Sequence, residues 1–214
     1  MTIDADLASL LQNPKAFLER NALIIYGSNK GGSGIKNFVF QGSDETGWRS
    51  ASAGQVPFYV IYQDGTFNGK GSGPKSKAFE AHYISMREYN ADTRSWEDSS
   101  ATHYTLPGGD GPAIMVTSKL NGCTFGIGSK ADGSRLVSHL RPPSGDNQSA
   151  RLLLDKGTRA GFAGGNIDVS VMSSQSQNGT VIGKRAGSDW TFYAQRFQIF
   201  ANAVGTITDV QVYG

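Results

Sequence analysis

Short runs of β-branched and aromatic residues, separated by clusters of glycine, constrain the fold of this chain more than any other feature of its sequence. In the first half of the chain such runs occupy residues 23–26, 38–41, 58–62 and 83–86. The chain has 28 glycines and only 7 prolines, and glycine accepts the positive φ angles of tight turns. The pattern therefore predicts many short strands joined by turns.

One helical segment at the N-terminus precedes these strands, and the second half of the chain continues the strand pattern. Residues 4–21 carry leucines and a phenylalanine at helical spacing, and Pro14 favours a break into two short helices. Residues 148–156 predict a further helix. Further strands are predicted at 113–118, 123–127, 135–140, 167–172, 180–184, 190–200 and 206–213.

Together these elements predict one α+β domain over residues 1–214, with a strand-rich core that starts at about residue 23. Strands this numerous, with so few helices, favour a β-sandwich-like core of mixed sheets with a few peripheral helices. A chain of this length can bury enough surface for a single core, and no linker divides it.

Charge and cysteine content exclude several classes of function. The net charge of +2 is too small to indicate a nucleic-acid-binding surface. No apolar run approaches the roughly 18 residues that a membrane helix needs, and Asp4 and Asp6 stand where a secretory signal would carry Lys or Arg. One cysteine and three histidines argue against a disulfide framework and a structural zinc site, so we expect no metal or cofactor.

Residues 113–140 carry the most informative chemistry. A strand at 113–118 is followed by an Asn121-Gly122 turn, a strand that starts at Cys123, and a third strand that ends at His139. Three neighbouring strands predict a meander. Because hairpin strands run antiparallel, Cys123 is expected opposite His139.

A thiol beside an imidazole can attack a carbonyl carbon, because the imidazole takes the thiol proton and returns it to the leaving group. Thr117, six residues before Cys123, can orient the imidazole through its hydroxyl. The backbone N–H of Cys123 or of a neighbour can hold the oxyanion. These residues predict a nucleophilic site with Cys123, His139 and Thr117.

The stretch from Thr117 through Leu120 and Gly122 to Cys123, followed by His139, resembles the Thr…Leu-Ser-Gly-Cys…His signature of a toxin family. This family comprises the catalytic domains of the cytotoxic necrotizing factors and Burkholderia lethal factor, bacterial toxins that deamidate glutamine in host proteins. The threonine matches the one placed in the same way in Burkholderia lethal factor. Asn stands at position 121 where the family usually has Ser, and the resemblance is confined to residues 113–139.

The resemblance implies a protein glutamine deamidase with Cys123 as nucleophile, and a β-sandwich core with surrounding helices. It also implies a bacterial toxin or effector, released without a conventional signal peptide and acting in the host cytoplasm. By family precedent its substrate is a Rho-type GTPase or a translation-initiation helicase.

Two other functions remain open on the sequence. A transglutaminase would use the same thioester chemistry and resolve it with an amine. A non-catalytic β-sandwich module would bind carbohydrate or protein, with Trp48 and Trp96 as candidate contacts and Trp190 in the core. In that alternative Cys123 is a small buried apolar residue and His139 only ends a strand.

Overall fold

The computed structural model describes residues 2–27, 32–42, 49–50, 56, 58–63, 76–90, 95–96, 103–121, 123–129, 132, 134–141, 166–167, 177–200 and 203–214. The helices are α1 Ile3–Gln12 and α2 Pro14–Leu18. The strands are β1 Ala22–Tyr26, β2 Gly34–Gly42, β3 Arg49–Ser50, β4 Phe58–Gln63, β5 Ser76–Ile84, β6 Met86–Asn90, β7 Ser95–Trp96, β8 Tyr104–Leu106, β9 Ile114–Thr117, β10 Thr124–Ser129, β11 Arg135–Arg141, β12 Asn166–Ile167, β13 Gln177–Ala186, β14 Asp189–Phe200 and β15 Ala203–Tyr213.

The N-terminal helical segment has the break that Pro14 predicts. The Thr2 side chain caps α1 by accepting from the Ala5 N–H, and the Asn13 side chain caps α2 by accepting from the Ala16 N–H. Pro14 takes the first position of α2. The backbone N–H at this position has no acceptor within the helix, so proline loses no hydrogen bond there. The turn between the helices is therefore encoded locally.

The described strands form two mixed sheets. The larger sheet has the order β1-β4-β2-β5-β9-β13-β14-β15-β3. The smaller sheet has the order β12-β10-β11-β6-β7, and β8 also pairs with β11. Most pairs are antiparallel, but four are parallel: β1 with β4, β5 with β9, β6 with β11 and β3 with β15. The strand-rich α+β class predicted from the sequence is confirmed.

Alternation along the strands of the larger sheet divides its side chains between two faces. On β9, Val116 packs in a core that includes Leu10 and Phe17 of the helices, whereas Met115 packs in the core shared with the smaller sheet. Apolar residues from both sheets fill that shared interior: Ile84, Met115, Val181, Trp190 and Phe192 from the larger sheet, and Cys123, Phe125, Ile127, Val137 and Leu106 from the smaller side.

The predicted three-stranded meander is wrong, because β9 belongs to the larger sheet and β10 to the smaller one. β9 pairs with β5 and β13, not with β10. After β9 the Lys119 N–H donates to the Ile25 carbonyl at 2.8 Å, and Leu120 exchanges hydrogen bonds with Gly179 at 2.7 and 2.8 Å. These bonds hold Lys119 and Leu120 on the larger sheet, so the chain passes to the smaller sheet only after Leu120.

A similar crossing divides the strand predicted at residues 83–86. β5 ends at Ile84 in the larger sheet, and β6 begins at Met86 in the smaller sheet. Between them the Ser85 N–H donates to the Ser33 hydroxyl at 3.0 Å. The helix predicted at 148–156 and most of the strand predicted at 167–172 lie outside the described residues.

Candidate active site

Cys123 and His139 lie on the same face of the hairpin formed by β10 and β11. The predicted antiparallel pairing is present, but Phe125 is the residue opposite His139. Cys123 precedes Phe125 by two positions, so it lies diagonally from His139 and not opposite it. Because side chains alternate with a period of two, this shift leaves both side chains on the face that turns toward the larger sheet.

Met86 lies beside both residues. It stands opposite His139 in the parallel ladder between β6 and β11. Its Sδ atom is 3.8 Å from the Cys123 Sγ atom, which is also 3.7 Å from the Asn121 carbonyl oxygen. Cys123 is 2% exposed and His139 is fully buried, so both groups belong to the interior between the sheets.

The Thr117 hydroxyl reaches the imidazole across that interior. Its Oγ1 atom lies 2.7 Å from the Ile84 carbonyl oxygen and 2.7 Å from His139 Nδ1. A hydroxyl has one hydrogen, and the carbonyl can only accept, so the Thr117 hydrogen goes to Ile84. His139 Nδ1 must then carry its own hydrogen and donate it to Thr117, which leaves Nε2 as the unprotonated nitrogen.

His139 Nε2 is a buried acceptor without a hydrogen-bond partner in the described part of the chain. Burial, and to a smaller extent the Arg141 guanidinium, lower the pKa of His139 to about 3. The imidazole is therefore neutral across the physiological range. An unpartnered buried nitrogen has a real desolvation cost, which makes it a candidate for contact with a reacting group.

A cleft of about 260 Å³ opens beside the Cys123 side chain. Gly27 forms part of its wall where the Tyr83 ring packs so close that an added Cβ would lie 2.3 Å from the ring, so any larger residue at this position would displace it. The cleft is lined by Ile25, Tyr26, Gly27, Met86, Ser118, Lys119, Asn121, Cys123 and Arg141.

A neutral imidazole and a thiol thus lie in the same interior, but the thiol makes no hydrogen bond to His139 Nε2. The sulfur instead contacts Met86 and Asn121. His139 Nε2 keeps a free lone pair on the face that it shares with Cys123. Hydrogen bonds of this kind often form only when substrate is bound.

Sequence reasoning missed several groups around the site. The Ile84 carbonyl fixes the Thr117 hydroxyl, but a backbone acceptor leaves no signal in sequence. The cleft is also lined by Met86, Lys119 and Arg141. Of these only Arg141 could be predicted from the sequence, since it follows His139 by two positions and so shares its face.

The sequence predictions also concerned His82 and the three tryptophans. His82 was expected in a polar segment without a role, but it is buried in β5, with its Nδ1 atom 3.1 Å from the Tyr104 hydroxyl oxygen. Trp190 is 1% exposed and packs in the core, as expected. Trp48, the Trp96 side chain and Gly122 lie outside the part that the structure describes.

Compared with models of known protein families and with curated protein sequences, the chain matches none. Neither described helix is long and apolar enough to cross a membrane. Within the described ranges, no three His, Cys, Asp or Glu side chains are grouped as metal ligands would be.

Proposed function

We propose that this protein is a cysteine-dependent deamidase that converts a glutamine of another protein to glutamate. Cys123 is the nucleophile, His139 is the general base and acid, and Thr117 positions the imidazole. The observation that carries the proposal is the bond between Thr117 Oγ1 and His139 Nδ1, which leaves Nε2 as an open acceptor on the face that Cys123 shares. The resemblance to the deamidase toxins supports the same three residues.

In the proposed reaction His139 Nε2 accepts the thiol proton while the sulfur attacks the carbonyl carbon of the glutamine side chain. The resulting tetrahedral intermediate places its negative charge on oxygen, where the backbone N–H of Cys123 or of a neighbour donates. Protonated Nε2 then gives its proton to the departing nitrogen, ammonia leaves and a thioester remains. Nε2 next deprotonates a water that hydrolyses the thioester, which yields glutamate and restores the thiol.

Burial of His139 fixes the order of these events. An imidazolium is costly in this interior, because its pKa is about 3, so a preformed ion pair between thiolate and imidazolium is disfavoured at rest. The proton therefore moves during the attack, when negative charge develops on the substrate oxygen. Thr117 stabilises the ring throughout, because its oxygen accepts from Nδ1 in both charge states.

The product explains how such an enzyme would act as an effector. A glutamate has lost the hydrogen-bond donor of the amide and gained a charge, so one conversion can disable an interface of the target. By family precedent the target would be a Rho-type GTPase or a translation-initiation helicase in the cytoplasm of a host cell. A bacterial toxin fits this role.

The test compares the protein with its Cys123→Ala variant in a eukaryotic lysate supplied with a dansylated primary amine. The proposal predicts release of ammonia and conversion of a specific glutamine to glutamate, both measured by mass spectrometry and an ammonia assay, and both lost in the variant. Incorporation of the amine in place of water would indicate a transglutaminase. Equal conversion by the Cys123→Ala variant would refute the proposal.

A non-catalytic binding module is the second candidate, and the 2% exposure of Cys123 favours it. In a module the thiol and imidazole would serve packing alone. The module predicts that Cys123→Ala retains every measurable function of the protein, whereas the deamidase loses its activity.

A further inference from the structure

Two cationic side chains line the cleft beside the proposed nucleophile. Lys119 and Arg141 share this wall with Cys123, and no Asp or Glu is among the described residues that line it. The cleft therefore offers positive charge to whatever approaches the sulfur.

The position of Lys119 is fixed by the main chain. Its N–H donates to the Ile25 carbonyl at 2.8 Å, and its ammonium lies 5.9 Å from the centroid of the Tyr26 ring. The side chain is half-buried, and desolvation lowers the pKa of the ammonium. An anion in the cleft would offset that desolvation, since a nearby opposite charge favours the charged form of a lysine.

Arg141, on β11, also lines the cleft. Thr124 pairs with Leu140, so the next step of the same register brings Arg141 opposite Cys123, and its side chain is exposed. Lys119 is half-buried in the cleft and its ammonium is placed by the Tyr26 ring, so it is the better of the two positions at which to test the charge of the cleft.

We propose that the cleft selects a glutamine flanked by carboxylates, so that the substrate segment is acidic. Lys119 binds one flanking carboxylate at the inner wall and Arg141 binds another at the rim. This inference rests on the proposed function, because it concerns the substrate of the same thiol. Complementary charge of this kind raises the rate of encounter and suppresses wrong partners, and salt weakens it.

The test uses two alkylating reagents that differ mainly in charge, iodoacetate and iodoacetamide. The measured quantity is the ratio of their rates with Cys123 in the native protein, divided by the same ratio for glutathione. A change in thiol pKa affects both reagents alike, so the ratio reports the charge near the sulfur. We expect a normalised ratio several-fold above one at low salt, falling toward one at high salt.

Three variants sharpen the test. Lys119→Gln is expected to lower the ratio several-fold, and Lys119→Arg is expected to retain it because the charge is kept. Lys15→Gln removes an equal charge from an exposed residue of α2 that pairs with Glu19, and is expected to leave the ratio unchanged.

The outcomes separate this inference from the proposed function. Rapid alkylation with a normalised ratio near one, or a ratio that Lys119→Gln does not change, would overturn the acidic substrate and leave the nucleophile standing. A native thiol that reacts with neither reagent would overturn the deamidase, and the substrate inference with it. A higher rate of ammonia release from a peptide with Glu on both sides of its glutamine than from one with Lys there would support both.

Discussion

Among single residues, the Thr117 hydroxyl decides which nitrogen of His139 is left as an unprotonated acceptor. Its hydrogen is committed to the Ile84 carbonyl, so the imidazole must donate from Nδ1 and keep Nε2 open. A hydroxyl that could rotate freely would leave both tautomers populated. The backbone of β5 thus sets the chemistry of a side chain on β11.

Thr117→Val tests this role, because valine keeps the shape and removes the oxygen. The change leaves a buried Nδ1–H without an acceptor and is expected to lower the free energy of unfolding by about 1–3 kcal/mol. We expect deamidation to fall by about tenfold or more, since both tautomers then compete. The measurements are urea unfolding and the rate of ammonia release.

Thr180→Val is the matched control for that variant. Thr180 is also fully buried on the larger sheet, and its hydroxyl donates to the Leu23 carbonyl, away from the cleft. It should lose a similar amount of stability and keep the deamidation rate. Equal loss of rate in both variants would show that Thr117 acts through stability alone.

At the scale of elements, the site depends on two places where the chain leaves one sheet for the other. At Ser85 the chain passes from β5 to β6, and after Lys119 it passes from β9 toward β10. The first crossing places Met86 beside His139, and the second places Thr117 across the interior from it. A meander would have put Thr117 in the same sheet as His139, with β10 between them.

Sequence patterns predicted the elements well and their partners poorly. The helical segment with its break at Pro14, and the hairpin of β10 and β11, follow from residues close together in the chain. The sheet to which β9 belongs is decided by its pairing with β5 and β13, whose residues are distant from it in sequence. The same alternating pattern fits either sheet, so no local signal could choose between them.

The candidate site was predictable to the same extent. A hairpin brings Cys123 and His139 onto one face even when its register is shifted by two residues. Thr117 was expected to orient the imidazole, and the structure places its hydroxyl at Nδ1. Tertiary contacts bring the Ile84 carbonyl to Thr117 and hold Lys119 beside the cleft, and no local sequence pattern predicts those contacts.

At the scale of the whole molecule, the two sheets enclose the imidazole completely, and this couples the site to the stability of the fold. The native pKa of His139 is about 3, below the value of 6.5 for an ordinary histidine. Above pH 6.5 the imidazole is neutral in both states and contributes no pH dependence. Below pH 6.5 the histidine is protonated in the unfolded chain but not in the native protein, so the free energy of unfolding falls as the pH drops toward 3.

This linkage is tested by measuring the free energy of unfolding of the protein and of its His139→Asn variant between pH 7 and pH 5. The histidine should contribute a loss of about 1.4 kcal/mol per pH unit below its ordinary pKa, and the variant should lack that part of the slope. Burial also lowers the pKa of His82, but that contribution is common to both proteins and cancels. Greater stabilisation of the parent at low pH would indicate a resting ion pair with a thiolate.

The most direct test of the account is the rate of alkylation of native Cys123 by iodoacetamide as a function of pH, in the parent protein and in His139→Asn. Asparagine can still donate to Thr117 from the position of Nδ1, but it has no nitrogen at the position of Nε2. We expect the parent thiol to react near neutral pH, and the variant to react at least about tenfold more slowly there. A thiol that reacts only after unfolding, or at the same rate in both proteins, would contradict it.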